Sequence, residues 1–277
     1  MAFSNAPLTD IAVNLTDKSF QADLDQVLDR ANDAGVREII VTGSTLEESR
    51  QAVELCQRRP EMLFSTAGVH PHYSRDFDAG TLDQLRRLST EDCVRAIGET
   101  GLDFNRDFSP RPDQIHAFEQ QLELACELQM PVLMHERDAH DRFVEIISHY
   151  RDRLDKAVLH CFTGDKAQLY RLLDLDLHIG ITGWLCDERR GAHLQPLLKE
   201  IPADRLMLET DAPYLLPRDL RPKPKSRRNE PCHLAHIVGV AAQHMGIGAE
   251  QLARQTRRTS LDFFNIRPEA APEPVEK

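Results

Sequence analysis

The feature that most constrains the fold is an alternation, along the whole chain, of short apolar runs with amphipathic segments. Short apolar runs bounded by charged or turn residues predict buried strands, and the longer segments have the periodicity of helices. Strands that alternate with helices favour parallel pairing through right-handed crossovers. The chain of 277 residues is long enough for an α/β fold of the (β/α)8 barrel (TIM barrel) type. The eight predicted strands are Leu8–Asn14, Glu38–Thr42, Leu63–Val69, Val94–Gly98, Pro131–His135, Ala157–His160, His178–Ile181 and Arg205–Glu209.

Helix signals support the same architecture. Thr45 and Ser109 stand at positions typical of N-caps, and Gly35 follows the first predicted helix as a C-terminal glycine does. An open doubly wound sheet is the competing fold, but it predicts a glycine-rich phosphate loop after the first strand, where this chain has Asn14-Leu15-Thr16-Asp17. The barrel is therefore favoured. The main predicted helices are Gln21–Ala34, Leu46–Arg58, Asp113–Gln129 and Ala139–Arg151.

Four predicted strands end in side chains of the kind that bind divalent metals: Glu99, His135, His160 and Asp211. The carboxyl ends of all strands meet at one face of a barrel, so residues distant in sequence converge there. Carboxylates and neutral imidazoles hold Zn, Mn, Co or Mg, and such an ion activates water for hydrolysis. A lone histidine at a strand end is more often a hydrogen-bonded cap, but four such ends together predict a hydrolytic metal centre. A second ion could share Glu99 as a bridge.

Three further residues are candidates for substrate binding. His70 and His72 flank Pro71 after the third strand and point two imidazoles toward the same barrel mouth. They could bind metal, contact a phosphate or cap the loop, and substrate contact is favoured because the metal shell is nearly full without them. Arg137 follows His135 and has the planar fork that suits phosphate oxygens. An ion pair of Arg137 with a neighbouring carboxylate is the alternative.

Charge distribution points to an anionic polymer as substrate. The formal net charge of the chain is −11, which argues against a general, sequence-independent grip on nucleic acid. The stretch from Pro217 to Pro231 nevertheless has six cations and two anions, and it follows the eighth strand, at the predicted mouth. Trp184, the only tryptophan, follows the seventh strand and either offers a face for base stacking or packs in the core.

The remaining features of the sequence concern cellular location, the state of the cysteines and domain organisation. No apolar run approaches the length of a membrane span, and the first ten residues have no signal-peptide pattern, so a cytoplasmic monomer without membrane contact is expected. The six cysteines contain no C-x-x-C pair and are expected to be reduced thiols. Residues 1–266 are predicted to form one domain, and 267–277, rich in Pro, Ala and Glu, a disordered tail.

The chain resembles the TatD family of metal-dependent deoxyribonucleases, within the amidohydrolase-type barrels. Six motifs in order carry the resemblance, from about Asp10 to Phe264. Most of the broader family has a His-x-His pair after the first strand, whereas the opening here resembles that of the TatD branch proper. The motifs are Asp10-Ile11-Ala12-Val13-Asn14-Leu15-Thr16, Gly68-Val69-His70-Pro71-His72, Gly98-Glu99-Thr100-Gly101-Leu102-Asp103-Phe104, Met134-His135-Glu136-Arg137-Asp138-Ala139, Leu159-His160-Cys161-Phe162-Thr163-Gly164 and Glu209-Thr210-Asp211-Ala212-Pro213-Tyr214-Leu215.

The resemblance implies a 3′–5′ exonuclease that hydrolyses phosphodiester bonds of single-stranded DNA, with RNA as a further substrate, and a role in DNA repair. It implies that Glu99, His135 and His160 bind a divalent metal, and that Asp211, beside that metal, acts with Glu99 in catalysis by orienting or deprotonating the attacking water. Mg2+ is the expected ion, with Mn2+ or Zn2+ as alternatives and one or two ions bound.

Two other interpretations stay open. The same metal shell also suits hydrolysis of an amide, lactone or phosphotriester, although a small neutral substrate gives no reason for the cations at Arg227 and Arg228. A metal-depleted binding protein is the third interpretation, because the amide of Asn14 and the hydroxyl of Thr16 are poorer ligands than the imidazoles of a His-x-His pair.

Overall fold

The computed structural model describes residues 6–267, which contain eight parallel strands in one sheet whose spatial order follows the chain. A parallel bridge between Val13 and Ala212 joins the first strand to the segment after the last. The backbone N–H of Asp211 donates to the carbonyl of Ala12 at 3.0 Å and strengthens this closure. The predicted (β/α)8 barrel is confirmed. The strands are β1 Leu8–Val13, β2 Val36–Val41, β3 Leu63–Ala67, β4 Val94–Asp103, β5 Val132–Arg137, β6 Ala157–Leu159, β7 His178–Ile181 and β8 Leu206–Leu208.

Helices cover the outside of the sheet, and their ends follow local sequence chemistry. Thr45 caps α2, as predicted, by accepting from the backbone N–H of Glu48 at 3.1 Å. The predicted cap Ser109 is wrong: Pro110 occupies the N-cap of α4, and the Ser109 hydroxyl instead donates to the His72 carbonyl. A long-range hydrogen bond thus replaced the local one. The helices are α1 Leu24–Asp33, α2 Leu46–Arg58, α3 Ala79–Leu88, α4 Arg111–Leu128, α5 His140–Tyr150, α6 Lys166–Asp174, α7 Leu234–Met245 and α8 Ala249–Phe263.

Strand β4 differs most from its prediction, because it continues past Gly98 to Asp103. Gly98 and Gly101 have φ angles of 135° and 139°, which only glycine adopts without strain. A Cβ at Gly101 would lie 2.0 Å from the carbonyl oxygen of His135, so β5 passes too close for any side chain there. The pairing register of β4 with β5 shifts between Ile97 and Thr100. Glu99 therefore lies inside a bulged strand and not at the end of one.

The barrel interior is filled from six strands and closed at its amino-terminal end by the last helix. An apolar cluster contains one residue from each of β1, β2, β4, β5, β6 and β8, together with Phe263 and Phe264 at the end of α8. A filled interior is usual for this fold and leaves the carboxyl-terminal mouth for the site. Within residues 6–267, no helix combines the length and apolar character needed to cross a membrane. Of the predicted tail, residues 268–277 lie outside the described part of the chain.

Candidate active site

Three imidazoles surround one carboxylate oxygen at the mouth of the barrel. Glu99 Oε1 lies 2.7 Å from His160 Nε2, 3.4 Å from His135 Nδ1 and 3.4 Å from His70 Nε2. The four residues come from β4, β5 and the segments that follow β6 and β3. The barrel thus brings together Glu99, His135 and His160, whose sequence positions span more than sixty residues, as predicted from their strand ends.

A second carboxylate, Asp103 at the last residue of β4, faces His135 from the other side and also contacts His72. Its Oδ2 lies 2.7 Å from His72 Nε2 and 3.4 Å from His135 Nε2. The His135 Nε2 atom is buried and has no hydrogen bond to the described residues, because its approach to Asp103 lacks the required geometry. His135 thus lies between two carboxylates, and one of its ring nitrogens has a lone pair or proton without a partner.

A third carboxylate, Glu209, contacts His160 at the ring nitrogen that faces away from Glu99. Glu209 Oε2 lies 3.3 Å from His160 Nδ1, and its Oε1 accepts from the backbone N–H of Cys161 at 2.5 Å. The Glu209 side chain is fully buried. A carboxylate at Nδ1 keeps the proton on that nitrogen and turns the Nε2 lone pair of His160 toward Glu99, which is the arrangement found behind metal-binding histidines.

Asp211 lies beside this cluster with one of its oxygens occupied. Asp211 Oδ1 accepts from the side-chain amide of Asn14 at 3.1 Å. Burial raises the pKa of Asp211 to about 7, against the lowering effect of nearby His160. A carboxylate with such a pKa takes up and releases protons near neutral pH. Asn14, which stands where the broader family has a histidine, contacts Asp211 as a donor.

His70 differs from the other imidazoles in its protonation. Its Nδ1 accepts from the backbone N–H of His72 at 3.1 Å, and burial lowers the pKa of His70 to about 3. A neutral imidazole that accepts at Nδ1 has its proton at Nε2. Although Nε2 lies close enough to Glu99 and His135 to complete a metal-binding set, it is a donor and has no lone pair to offer.

The charges of the cluster depend on one another. Burial alone raises the pKa of Glu99, yet the charge of nearby His160 brings it well below its usual value. Burial alone lowers the pKa of His160, yet Glu99 and Glu209 raise it well above the usual value. The pKa of His135 is likewise raised by Asp103 and Glu99, against burial. The buried carboxylates therefore need positive charge close by, which either protonated imidazoles or a divalent cation can supply.

The cluster opens into a cavity of about 440 Å3 with an aromatic rim. Among the described residues, four large hydrophobic side chains are exposed: Tyr73, Phe108, Tyr170 and Tyr214. All of them except Tyr170 line this cavity. Exposed rings at the edge of a cavity offer flat faces on which planar groups such as nucleic acid bases can stack.

Arg137 and Trp184 lie in a neighbouring cleft of about 880 Å3, not in the mouth cavity. Arg137 Nη1 donates to the Thr163 hydroxyl at 3.0 Å, and its guanidinium lies 5.1 Å from the Trp184 ring centroid. Arg190 lies 4.3 Å from the same ring. Two guanidinium groups therefore contact the indole, and Arg137 makes no ion pair with another described residue.

The cations of the basic segment after β8 are of two kinds, those with ion-pair partners among the described residues and those that are exposed without one. Arg228 lies 2.7 Å from both Asp23 and Glu230, and Arg218 lies 3.2 Å from Glu188. Residues 221–227 are all exposed, and none of the cations among them has an ion-pair partner within residues 6–267. The exposed cations are Arg221, Lys223, Lys225 and Arg227.

Sequence reasoning did not select Asp103, Glu209 or Asn14, although all three stand inside the quoted motifs. Asp103 belongs to the same strand face as Glu99, since the two are four residues apart and side chains alternate along a strand. Glu209 comes directly after β8, which ends at Leu208, so this alternation does not extend to Glu209 and Asp211. For Asp103 the period of two was a usable signal, but β4 was predicted to end at Gly98.

Comparisons with known proteins agree on one family. The model of a family described as TatD related DNase matches residues 9–265. A relative from Erwinia billingiae, named 3′-5′ ssDNA/RNA exonuclease TatD, is 53% identical over 257 residues, which cover 93% of this chain and 98% of the relative. A relative of the same name from Pectobacterium carotovorum is 51% identical over 93% of this chain and 99% of the relative.

Solved structures of similar fold include members of the same family. A TatD family hydrolase from Entamoeba histolytica has a TM-score of 0.86 and 26% identity, covering 96% of this chain and all of that chain. A TatD homologue from Escherichia coli K12 has a TM-score of 0.85 and 26% identity, covering 94% of this chain and 98% of that chain. The similarity thus covers the whole barrel.

Proposed function

The chain belongs to the TatD related DNase family, and from this membership we propose that it is a metal-dependent 3′–5′ exonuclease of single-stranded DNA and RNA. It is a hydrolase of nucleic acid phosphodiester bonds. The 3′–5′ direction of digestion and the single-stranded DNA and RNA substrates are those in the names of its relatives from Erwinia and Pectobacterium.

One observation carries the proposal: a single cavity is lined both by the Glu99 cluster and by the exposed rings of Tyr73, Phe108 and Tyr214. Stacking on aromatic rings tolerates every base, so it suits an enzyme that removes nucleotides without regard to sequence. A small amide or ester would use the carboxylates and imidazoles but gives no reason for three exposed rings. The rim therefore favours a nucleic acid over the substrates of other hydrolases of this broad class.

The donor set fits a divalent metal, and the family uses one. Glu99, His135 and His160 would hold it, because Glu209 directs the His160 lone pair toward Glu99 and His135 Nδ1 faces the same Glu99 oxygen at 3.4 Å. Asp211 would complete the shell or accept from water beside it. When bound, such an ion lowers the pKa of water and neutralises the charge that develops on the phosphodiester. We propose Mg2+ as the ion in use.

The residues of the chain then have separate tasks. Asp211 Oδ2 accepts the proton of the attacking water, while Asn14 fixes the other carboxylate oxygen. The His70 Nε2–H donates to a phosphate oxygen, because its tautomer makes it a donor toward the cavity. His72, oriented by Asp103, lies next to it on the same side of the cavity. Arg137, in the neighbouring cleft, is proposed to bind a phosphate beyond the scissile one.

The decisive experiment uses protein stripped of metal and end-labelled oligonucleotides. We expect digestion of single strands from the 3′ end after addition of Mg2+, slower digestion of duplex, and no turnover of amide or ester substrates. Mn2+ and Zn2+ are added in turn to identify the ion that gives the highest rate. Activity that is independent of any metal, or digestion from the 5′ end, would contradict the proposal.

Variants of the cluster assign the activity to the site. Glu99→Ala and Asp211→Ala should each lower hydrolysis at least about a hundredfold while the far-ultraviolet circular dichroism is unchanged. Glu127→Gln on the exposed face of α4 is the matched control and should keep full activity. Full activity in either cluster variant would exclude this site.

The cell-level assignments rest on the proposed substrate. We propose that the protein acts as a cytoplasmic monomer in DNA repair, with residues 1–266 as one catalytic domain. Light scattering measures the oligomeric state, fractionation measures location, and the survival of a deletion strain after DNA damage tests the role in repair. A dimer, a membrane-bound fraction or unchanged survival would each contradict the corresponding assignment.

A further inference from the structure

A second cluster of metal-binding side chains lies outside the barrel mouth. Within residues 6–267, only two sets of His, Cys, Asp or Glu bring three ligand atoms within 4.8 Å of one another. One set contains Glu99, and the other consists of Cys186, Asp219 and His236. None of these last three residues lines the mouth cavity, so the second set is separate from the catalytic cluster.

The barrel brings the second set together from three segments. Cys186 ends the 3-10 turn that follows β7, Asp219 lies in the segment after β8, and His236 lies in the first turn of α7. His236 Nε2 is 2.7 Å from Asp219 Oδ1, and the Cys186 sulfur lies within 4.8 Å of the ligand atoms of both residues. One carboxylate thus lies close to both a thiol and an imidazole.

The donor types select the class of metal. A thiolate, an imidazole and a carboxylate are a typical set for zinc, whereas Mg2+ and Ca2+ take oxygen ligands. Ligand atoms on a tetrahedral zinc ion lie roughly 3.3 to 3.8 Å apart, so separations below 4.8 Å require only small side-chain rotations.

Burial of the set is uneven, and this leaves one position open. Cys186 is 5% exposed, and the side chains of His236 and Asp219 are 14% and 41% exposed. The thiol and imidazole are therefore held by the surrounding protein, while the solvent side, at Asp219, has room for water as a fourth ligand.

We propose that Cys186, Asp219 and His236 form a zinc site that fastens the basic segment after β8 to the barrel. Binding replaces the thiol proton of Cys186: the S–H bond breaks, a sulfur–zinc bond forms and one proton goes to solvent, without electron transfer. Asp219 precedes the exposed stretch 221–227 by two residues, so zinc restricts where its four cations lie relative to the mouth.

Cobalt is the probe for this site, because a thiolate bound to Co2+ gives a ligand-to-metal charge-transfer band. The metal-stripped full chain should develop this band and release one proton when one Co2+ binds, and ZnCl2 should then abolish the band by displacing the cobalt. Cys186→Ser should lose the band, and the double variant Glu99→Ala with His135→Ala should retain it. Cys161→Ser is the matched control, because Cys161 lines the mouth cavity next to His160.

The outcomes separate a real site from its alternatives. Absence of the band from the unaltered chain, its survival in Cys186→Ser or its loss in Cys161→Ser would each overturn the proposal. If Cys186→Ser does not fold, Asp219→Asn and His236→Gln decide: each should weaken zinc binding at least about tenfold in competition with a chromophoric chelator. Zinc affinity equal to that of the unaltered chain in both variants would also overturn it.

Discussion

At the residue scale, His160 is the side chain whose orientation depends most on its neighbours. Its two ring nitrogens face Glu99 and Glu209, and both carboxylates are buried. A carboxylate behind a metal-binding imidazole fixes its tautomer and increases its basicity. We therefore expect Glu209 to be a positioning residue, which acts on the reaction only through His160.

Replacement of Glu209 tests this role. Glu209→Gln should raise the metal concentration needed for half-maximal activity by about 10 to 100-fold, because the amide supports the Nε2 lone pair of His160 less well. Excess metal should restore most of kcat, which a general loss of structure would not allow. Glu200→Gln, at an exposed site, is the control. An unchanged metal requirement in Glu209→Gln would contradict the positioning role.

The aromatic rim gives a second prediction at this scale. Tyr214→Ala and Phe108→Ala should each raise KM for single-stranded oligonucleotides roughly five- to a hundredfold, since stacking contributes about 1 to 3 kcal/mol per base. Hydrolysis of a mononucleotide ester should change much less. Tyr170→Ala is the matched control, because Tyr170 is also an exposed aromatic residue but does not line the cavity. Equal effects of all three substitutions would exclude specific stacking.

At the element scale, the segment after β8 combines an anchored part with an exposed cationic stretch. Arg228 contacts Asp23 and Glu230 and lies 5.1 Å from the ring centroid of Phe20, so it holds the segment against the first βα connection. The preceding Arg227 is exposed and has no ion pair within the described chain. Two adjacent arginines thus differ in environment: Arg228 is ion-paired, whereas Arg227 is exposed to solvent.

The two arginines should therefore respond differently to the same change. Arg227→Ala should reduce the salt dependence of oligonucleotide binding by about one unit of slope and leave stability unchanged. Arg228→Ala should lower the free energy of unfolding by about 1 to 3 kcal/mol, since Asp23 and Glu230 each lose one of their two arginine partners and keep only Arg30. Fluorescence anisotropy in the inactive Glu99→Ala background and urea unfolding measure the two effects. The same salt slope in Arg227→Ala and the unaltered chain would rule out phosphate contact.

At the scale of the whole molecule, the closed end of the barrel opposes the mouth and has its own titrating group. His178, the first residue of β7, packs edge-on against Phe263 of α8 with ring centroids 4.9 Å apart. Its Nδ1 has no hydrogen bond within the described residues. Burial, with a smaller effect of Arg205, lowers the pKa of His178 to about 4.

This shift predicts a loss of stability in acid. The unfolded chain binds a proton at His178 near pH 6.5, whereas the folded chain binds it only near pH 4, so stability falls as the pH decreases between these values. The contribution is at most about 3 kcal/mol. His178→Gln should remove that part of the pH dependence in urea unfolding, and His149→Gln, at an exposed site, should keep it. Identical pH profiles for His178→Gln and the unaltered chain would contradict the assignment.

Local patterns in the sequence were sufficient to predict the barrel and the convergence of Glu99, His135 and His160 at its mouth. Apolar runs that stop at Glu99, His135, His160 and Asp211 predict their convergence, because parallel strands of a barrel end at one face. Six ordered motifs indicated the family, which the comparisons confirm. Each of these signals lies within a few neighbouring residues, where side-chain periodicity and composition are readable.

The tertiary structure alone decided the contacts that join distant segments. These contacts depend on the registers of the strands and on the paths of the loops. They include the contact of Glu209 with His160, the ion pair of Arg228 with Asp23, and the cluster of Cys186, Asp219 and His236. The extension of β4 to Asp103 also required its partner, since β5 stabilises a glycine-rich stretch that has little strand propensity of its own. Sequence determines which side chains stand at the ends of strands, whereas packing determines which atoms of those side chains face one another.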